Sequence, residues 1–471
     1  MGLEVHAELA TRSKMFCGCS TQFGAEPNSQ VCPVCLGMPG VLPVVNRQAV
    51  EYGLRVALAM DCTICSPFVF ERKNYYYPDL PKNYQISQKR SPVGHDGSLE
   101  IAVDGAAKQV GITDVHLEED AGKLLHPEGE TGASLVDLNR AGQPLLEIVG
   151  GPDLRSLEEV SAYMSAVRSL LLYLGVCDCR MEEGHLRFEA NISLRPAGSE
   201  EFGARVEMKN LNSFRSVLRC LEYEMKRQQA LLDQGQAVAR ETRLWDEERG
   251  VTEAMRSKEE AQDYRYFPEP DLPPVTIDEA WLERVRASLP ELPDARRRRF
   301  AQEWGLPEYD ALILTGDKAL ADFFEATVAL GRDPKAVSNW LMGEFLRLLN
   351  ATGKQAADAR VTPQALSDLI GLVEEGAVNR NAAKAVFEEM FNTGKPAKEI
   401  VEARGLTQIS DEGEIGAIVE KVIAENPKVV ADFRGGKEKS IGFLVGQVMR
   451  ESQGRADPKL VNRLLREKLS E

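Results

Sequence analysis

The chain has 471 residues, with 73 acidic side chains against 57 basic ones and a formal net charge of −16. That length accommodates roughly three folded domains, and 43% hydrophobic with 28% charged residues is the profile of a folded protein rather than a disordered one. The acidic balance excludes a charge-driven, histone-like nucleic-acid binder. No uncharged apolar run approaches the roughly 20 residues of a membrane helix, and no secretory signal opens the chain, which together predict a cytoplasmic protein.

Alternate residues of a strand share a face. The segment Gly2–Leu9 reads as a strand with Glu4, His6 and Glu8 on one face and Leu3 and Val5 on the other. Cys17-x-Cys19 and Cys32-x-x-Cys35 follow, with twelve residues between the pairs. Such short paired knuckles have the spacing of a closed, structural Zn²⁺ site, the alternative being four idle thiols. Apolar residues at three- and four-residue spacing predict helices over Arg47–Met60, Leu154–Leu174 and Phe214–Gln234. Between the first two lies Lys73-Asn-Tyr-Tyr-Tyr-Pro-Asp-Leu-Pro-Lys-Asn-Tyr84, a mixture of aromatics and lysines that can stack bases and hold phosphates. A strand over Ile112–Glu118 continues into a run that puts Asp114, His116, Glu118 and Asp120 on one face, with Glu119 opposite. The strand Leu186–Arg195 sets Arg187, Glu189, Asn191 and Ser193 against Phe188, Ala190, Ile192 and Leu194.

Beyond Pro290 the texture becomes helical throughout, with a second break at 405–411. The expected class is α+β: one large domain over 1–290, a helical domain over 291–405 and a small helical tail over 406–471. The stretch from Arg434 onward carries nine Lys/Arg against five Asp/Glu, a basic patch on an acidic protein.

Three strands that present carboxylates, an amide and imidazoles are either solvated faces or a surface neutralised by a hard cation, and such oxygen ligands suit Mg²⁺ with nucleotide phosphates. The chain contains neither G-x-x-x-x-G-K-[ST] nor G-x-G-x-x-G, which disfavours P-loop and Rossmann nucleotide binding. It also lacks a G-x-S-x-G elbow and a persuasive Cys/His pair for acyl chemistry. Cys62-x-x-Cys65 has no thioredoxin-like context.

Seven blocks, Gly2-Leu-Glu-Val-His, Lys73-Asn-Tyr-Tyr-Tyr-Pro-Asp-Leu-Pro-Lys, His116-Leu-Glu-Glu-Asp-Ala-Gly-Lys123, Asn139-Arg, Ala190-Asn-Ile-Ser-Leu-Arg195, Glu207-Met-Lys-Asn-Leu-Asn-Ser213 and Tyr266-Phe-Pro-Glu-Pro-Asp-Leu272, resemble the signatures of the GatB/GatE family of tRNA amidotransferases. The likeness spans the chain and includes a YqeY-like C-terminal region. It implies a cradle built around an antiparallel sheet, followed by a helical domain and a small helical tail. It also implies ATP-dependent phosphorylation of the side-chain carboxylate of Asp or Glu misacylated on tRNA(Asn) or tRNA(Gln). Ammonia from a glutaminase partner, GatA, would then displace the phosphate, with GatC joining the two large subunits. Glu4, His6, Glu118 and Glu119 match the family's Mg²⁺ and catalytic positions, and Cys17, Cys19, Cys32 and Cys35 match a zinc knuckle found in some members. The matching segments place ATP and substrate binding at Lys73, Tyr75, Arg140, Lys209 and Asn210, and the strand face of Arg187, Glu189 and Asn191 adds those three. The tail's Lys437, Lys439, Arg455 and Arg463 are the expected grip on tRNA. Gln143 stands where many relatives carry Thr in the segment associated with the ammonia route. The runner-up is a non-catalytic tRNA-binding scaffold.

Overall fold

A computed structural model describes residues 1–471 apart from 127–133, 258–263, 407–411, 435–436, 438–439, 453–454 and 471. The chain divides into two compact units, Met1–Pro293 and Asp294–Glu471.

The first unit runs β1 (Gly2–Glu8), α1 (Arg47–Ala59), β2 (Thr63–Ile64), β3 (Glu71–Asn74), β4 (Tyr84–Ser87), β5 (Gly94–Val103), β6 (Ala106–Glu119), β7 (Lys123–Leu125), β8 (Leu135–Asp137) and β9 (Pro144–Gly150). It continues with α2 (Leu157–Leu174), β10 (Leu186–Ile192), β11 (Val206–Leu211), α3 (Phe214–Asp233), β12 (Glu241–Asp246), β13 (Val251–Ser257), β14 (Phe267–Pro268) and α4 (Glu279–Ala287). Nine strands form one sheet in the order β13-β12-β11-β10-β1-β9-β6-β5-β2, so β1 lies at its centre. Every pairing is antiparallel except β11 with β12, which is parallel and makes the expected antiparallel sheet a mixed one. A second sheet, β14-β3-β4, carries the Lys73 segment.

The period-2 pattern sorts the two faces of the large sheet. Leu3, Val5 and Ala7 of β1, Leu146 and Ile148 of β9, and Phe188, Ala190 and Ile192 of β10 are buried in one core with residues of α1, α2 and α3. The other face carries the polar residues. In β6 an irregularity between Ile112 and Asp114 adds one residue opposite β9. Val110 and Ile112 before it, and Val115 and Leu117 after it, are therefore all buried, whereas Thr113, Asp114 and His116 line a cleft on the other face. The helices match their expected spans to within three residues. The second begins at Leu157 rather than Leu154 because Ser156 caps it, its hydroxyl accepting from the backbone N–H of Glu159, and it stops at Gly175 in the left-handed conformation (φ +65°).

The second unit is helical, with two separate apolar cores. One gathers Phe300, Phe324, Phe345, Phe387 and Phe391 from residues 300–401. The other gathers Ile415, Leu444, Val448, Val461 and Leu465 from residues 415–469. No helix among the described residues is long and apolar enough to cross a membrane.

Candidate active site

The polar face of the large sheet forms the floor of a cleft of about 780 Å³. Register aligns two transverse rows across it. One row runs Arg187–His6–Glu147–His116 through β10, β1, β9 and β6, and the next runs Glu189–Glu4–Val149–Asp114 through the same strands. At the centre of the first row, Glu147 Oε2 lies 3.1 Å from His116 Nε2 and 3.3 Å from His6 Nε2. His6 Nε2 is 3.9 Å from Glu118 Oε1. His116 is held on its other side by Asp114, Nδ1 to Oδ1 at 2.6 Å.

The electrostatics follow from this packing. Burial pulls the His116 imidazole down, but Glu147 and Asp114 outweigh it and carry it up to about 10. Burial pushes Glu147 up, and the two imidazoles outweigh that, holding its carboxyl well below the usual range. Glu4 is raised, first by burial and then by Glu147 and Glu189; its Oε1 accepts from Asn191 Nδ2 at 3.0 Å.

Ligand atoms of His6, Glu118 and Glu147 all lie within 4.8 Å of one another, which fits one small divalent cation with its remaining positions filled by water or phosphate oxygens. Sequence reasoning misses Glu147, whose only signal is a lone carboxylate inside the apolar run Pro144-Leu-Leu-Glu-Ile-Val-Gly150. Glu4 lines the cleft one row away. Glu119 does not join the group, because strand alternation turns it to the opposite face. There its carboxylate meets Lys82 and accepts from the Ile86 N–H at 3.0 Å, inside a separate cavity of about 210 Å³ beside Phe16 and Cys35.

The cleft has two cationic walls. From the small sheet, Lys73 enters between Tyr75 and Tyr264, its ammonium 5.9 and 5.2 Å from the ring centres. From β11 comes Lys209, bound to Glu189 at 2.6 Å and Glu207 at 3.2 Å. Arg205 and Arg240 line the same side. Other expected binding residues brace the fold. Arg187 bonds Asp120 at 2.6 Å, Arg140 donates to the carbonyls of Ala121 and Gly122, Tyr75 donates to Gln85, and Asn210, a bulge residue with φ +66°, donates to the Trp245 carbonyl. Gln143 is buried and donates to the Thr21 carbonyl at 3.2 Å.

The Sγ atoms of Cys17, Cys19, Cys32 and Cys35 also lie within 4.8 Å of one another, with Cys32 and Cys35 3.9 Å apart, near the sulfur–sulfur edge of a tetrahedral zinc site. A hydrogen bond from Cys17 draws the Cys35 thiol down to about 4, and Lys14 Nζ, itself fully buried, stands 3.6 Å from that sulfur. Both features favour thiolate at Cys35, while the same hydrogen bond holds the Cys17 thiol up and burial raises that of Cys19. Cys62 is different: burial pushes its thiol up to about 12. In the tail, Lys437 pairs with Asp432 and Arg463 with Glu412 at the surface, Arg455 donates to the Ser452 carbonyl, and Lys439 lies outside the described residues.

A mixed sheet backed by helices, with an acid–imidazole floor and basic walls, is suited to charged ligands, and comparison with known proteins gives the class of the domain. Residues 1–283 match the family described as GatB/GatE catalytic domain and residues 322–469 the one described as GatB domain. Full-length relatives named as the B subunits of aspartyl/glutamyl-tRNA(Asn/Gln) amidotransferases include those of Moorella thermoacetica (59% identical, covering 100% of this chain and 99% of the relative), Thermodesulfovibrio yellowstonii (57%; 99% and 98%) and Carboxydothermus hydrogenoformans (55%; 100% and 98%). The chain belongs to the GatB/GatE family of amidotransferases, as the resemblance of its motifs implied.

Proposed function

We propose that this chain uses ATP to phosphorylate the side-chain carboxylate of Asp or Glu misacylated on tRNA(Asn) or tRNA(Gln), preparing it for amidation. The carboxylate oxygen attacks the γ-phosphorus, the bond to the β–γ bridging oxygen breaks, and ADP leaves. Ammonia from a glutaminase partner, GatA, then attacks the acyl carbon and phosphate departs. GatC completes the assembly.

The observation that carries this reading is the His6–Glu118–Glu147 group, of which His6 and Glu147 line the cleft and Glu118 is buried beside them, with Lys73 lining the same cleft and no carboxylate among the described residues in ion-pair contact with that lysine. Mg²⁺ held there would neutralise charge on the transferring phosphoryl oxygens. The chain's own residues supply position and field. Glu118, which accepts from Ser87 Oγ at 3.2 Å, and Glu147 are fixed by neighbouring side chains, so little rearrangement accompanies binding. Lys73 faces the negative floor, with Glu118 and Glu147 raising its ammonium against burial, and is suited to orient the substrate carboxylate. Zn²⁺ on the four cysteines would be structural, because four thiolates leave no open position. The basic tail would hold the tRNA body.

The test is ADP release by the assembled enzyme in the presence and absence of misacylated tRNA. Release that requires Asp-tRNA(Asn) or Glu-tRNA(Gln) is the expected result. Tight tRNA binding without any release would instead mark a non-catalytic scaffold.

A further inference from the structure

The one parallel junction of the large sheet creates an unusual juxtaposition. β11 and β12 pair with Glu207 opposite Thr242 and Lys209 opposite Leu244. Extended two residues back, to the positions just ahead of the two strands, this register sets Arg205 against Arg240. Like charges opposite one another on neighbouring strands are destabilising. Among the described residues neither arginine has an ion-pair or hydrogen-bond partner, although carboxylates are plentiful nearby; Glu207 and Glu189 are already engaged by Lys209. Both guanidiniums are exposed, and both line the cleft whose floor holds His6 and Glu147. Two neighbouring guanidiniums at a cleft wall have the donor geometry of a polyphosphate clamp, because each planar fork can bind two phosphate oxygens at once. Lys73 differs in kind: a single ammonium beside the rings of Tyr75 and Tyr264, lining the same cleft from the small sheet.

We propose that Arg205 and Arg240 clamp the polyphosphate of the nucleotide, so that ATP enters along the β11–β12 wall while the aminoacyl carboxylate arrives along the Lys73 wall, the two meeting over the central acid–imidazole row. This rests on the ATP-dependent reading above and adds to it an orientation for the two substrates. An exposed arginine pair could also meet backbone phosphates of tRNA, so the experiment separates those sources.

In the assembled complex with Mg²⁺, the dissociation constant of a non-hydrolysable ATP analogue is measured by equilibrium dialysis, and that of misacylated tRNA by filter binding. The variants are R205A, R240A and the double lysine variant R205K/R240K. Each alanine variant should weaken the nucleotide by about tenfold or more, the scale of a charged hydrogen bond. The lysine variant should recover only part of this, since it restores charge without the fork, while tRNA affinity stays near wild type. Both positions are exposed, and unchanged melting temperatures would show that the variants are folded. Wild-type analogue affinity in both alanine variants, or a loss of tRNA affinity alone, would overturn the clamp. If the wild-type complex itself bound no nucleotide, the ATP-dependent reading would fall as well.

Discussion

Replacing Glu147 with Gln keeps the shape of the side chain and removes its charge. Glu147 Oε2 serves two imidazoles at 3.1 and 3.3 Å, and only 13% of the side chain is exposed. Hydrogen bonds with a charged partner contribute about 1.5–3 kcal/mol against about 0.5–1.5 for neutral pairs. Converting both contacts therefore removes about 2 kcal/mol, part of which is returned because Glu4 loses a repulsive neighbour. For a unit spanning Met1–Pro293 that corresponds to a fall of about 3 °C in melting temperature. The larger effect concerns the cation. A ligand present at 100 times its dissociation constant stabilises the folded state by about 2.7 kcal/mol, and E147Q would alter one of the three side chains proposed to hold it. Calorimetric melts with and without Mg²⁺ should show a cation-dependent rise in the wild type and little or none in the variant, accompanied by loss of tRNA-dependent ADP release. A variant that melts at the wild-type temperature, gains as much from Mg²⁺ and still releases ADP would refute the assignment of the floor.

Elemental analysis of the purified protein should find about one zinc per chain. C32S/C35S should lose it and unfold at lower temperature; a fully zinc-free wild type that is equally stable would remove the knuckle's structural role. Removing residues 406–471 should weaken tRNA binding and flatten its salt dependence, raising KM for tRNA more than it lowers kcat. Unchanged affinity and salt slope would assign the tail another role.

The sequence made the central strands legible because their two faces differ sharply: Leu3, Val5 and Ala7 against Glu4, His6 and Glu8 is a period that only a half-buried strand produces. The same rule already separated Glu119 from Glu118, and the structure keeps them on opposite faces even though both match the family's acidic block. Glu147 was hidden for the converse reason. Its strand lies beside β1 at the middle of the sheet and reads as a buried apolar run; the residue acquires meaning only from its register with His6 and His116, which no local pattern encodes. The parallel pairing of β11 with β12 was likewise invisible, since it depends on a crossover through α3 rather than on a turn. The cysteine cluster was legible from spacing alone, because two short knuckles need only be brought face to face.

The extra residue at Thr113 acts as a phase shifter within a single long strand. Upstream of it the even-numbered positions Val110 and Ile112 point to the helices; downstream the odd-numbered Val115 and Leu117 do. One continuous segment thus builds the outer hydrophobic hairpin in one reading frame and the polar floor of the cleft in the other. Substituting Thr113 changes one side chain, whereas deleting it would exchange the two frames, driving Asp114, His116 and Glu118 into the core or forcing the hairpin out of it. Its value lies in being counted. The polar floor of the cleft is therefore more vulnerable to a change in strand length here than to a change in chemistry.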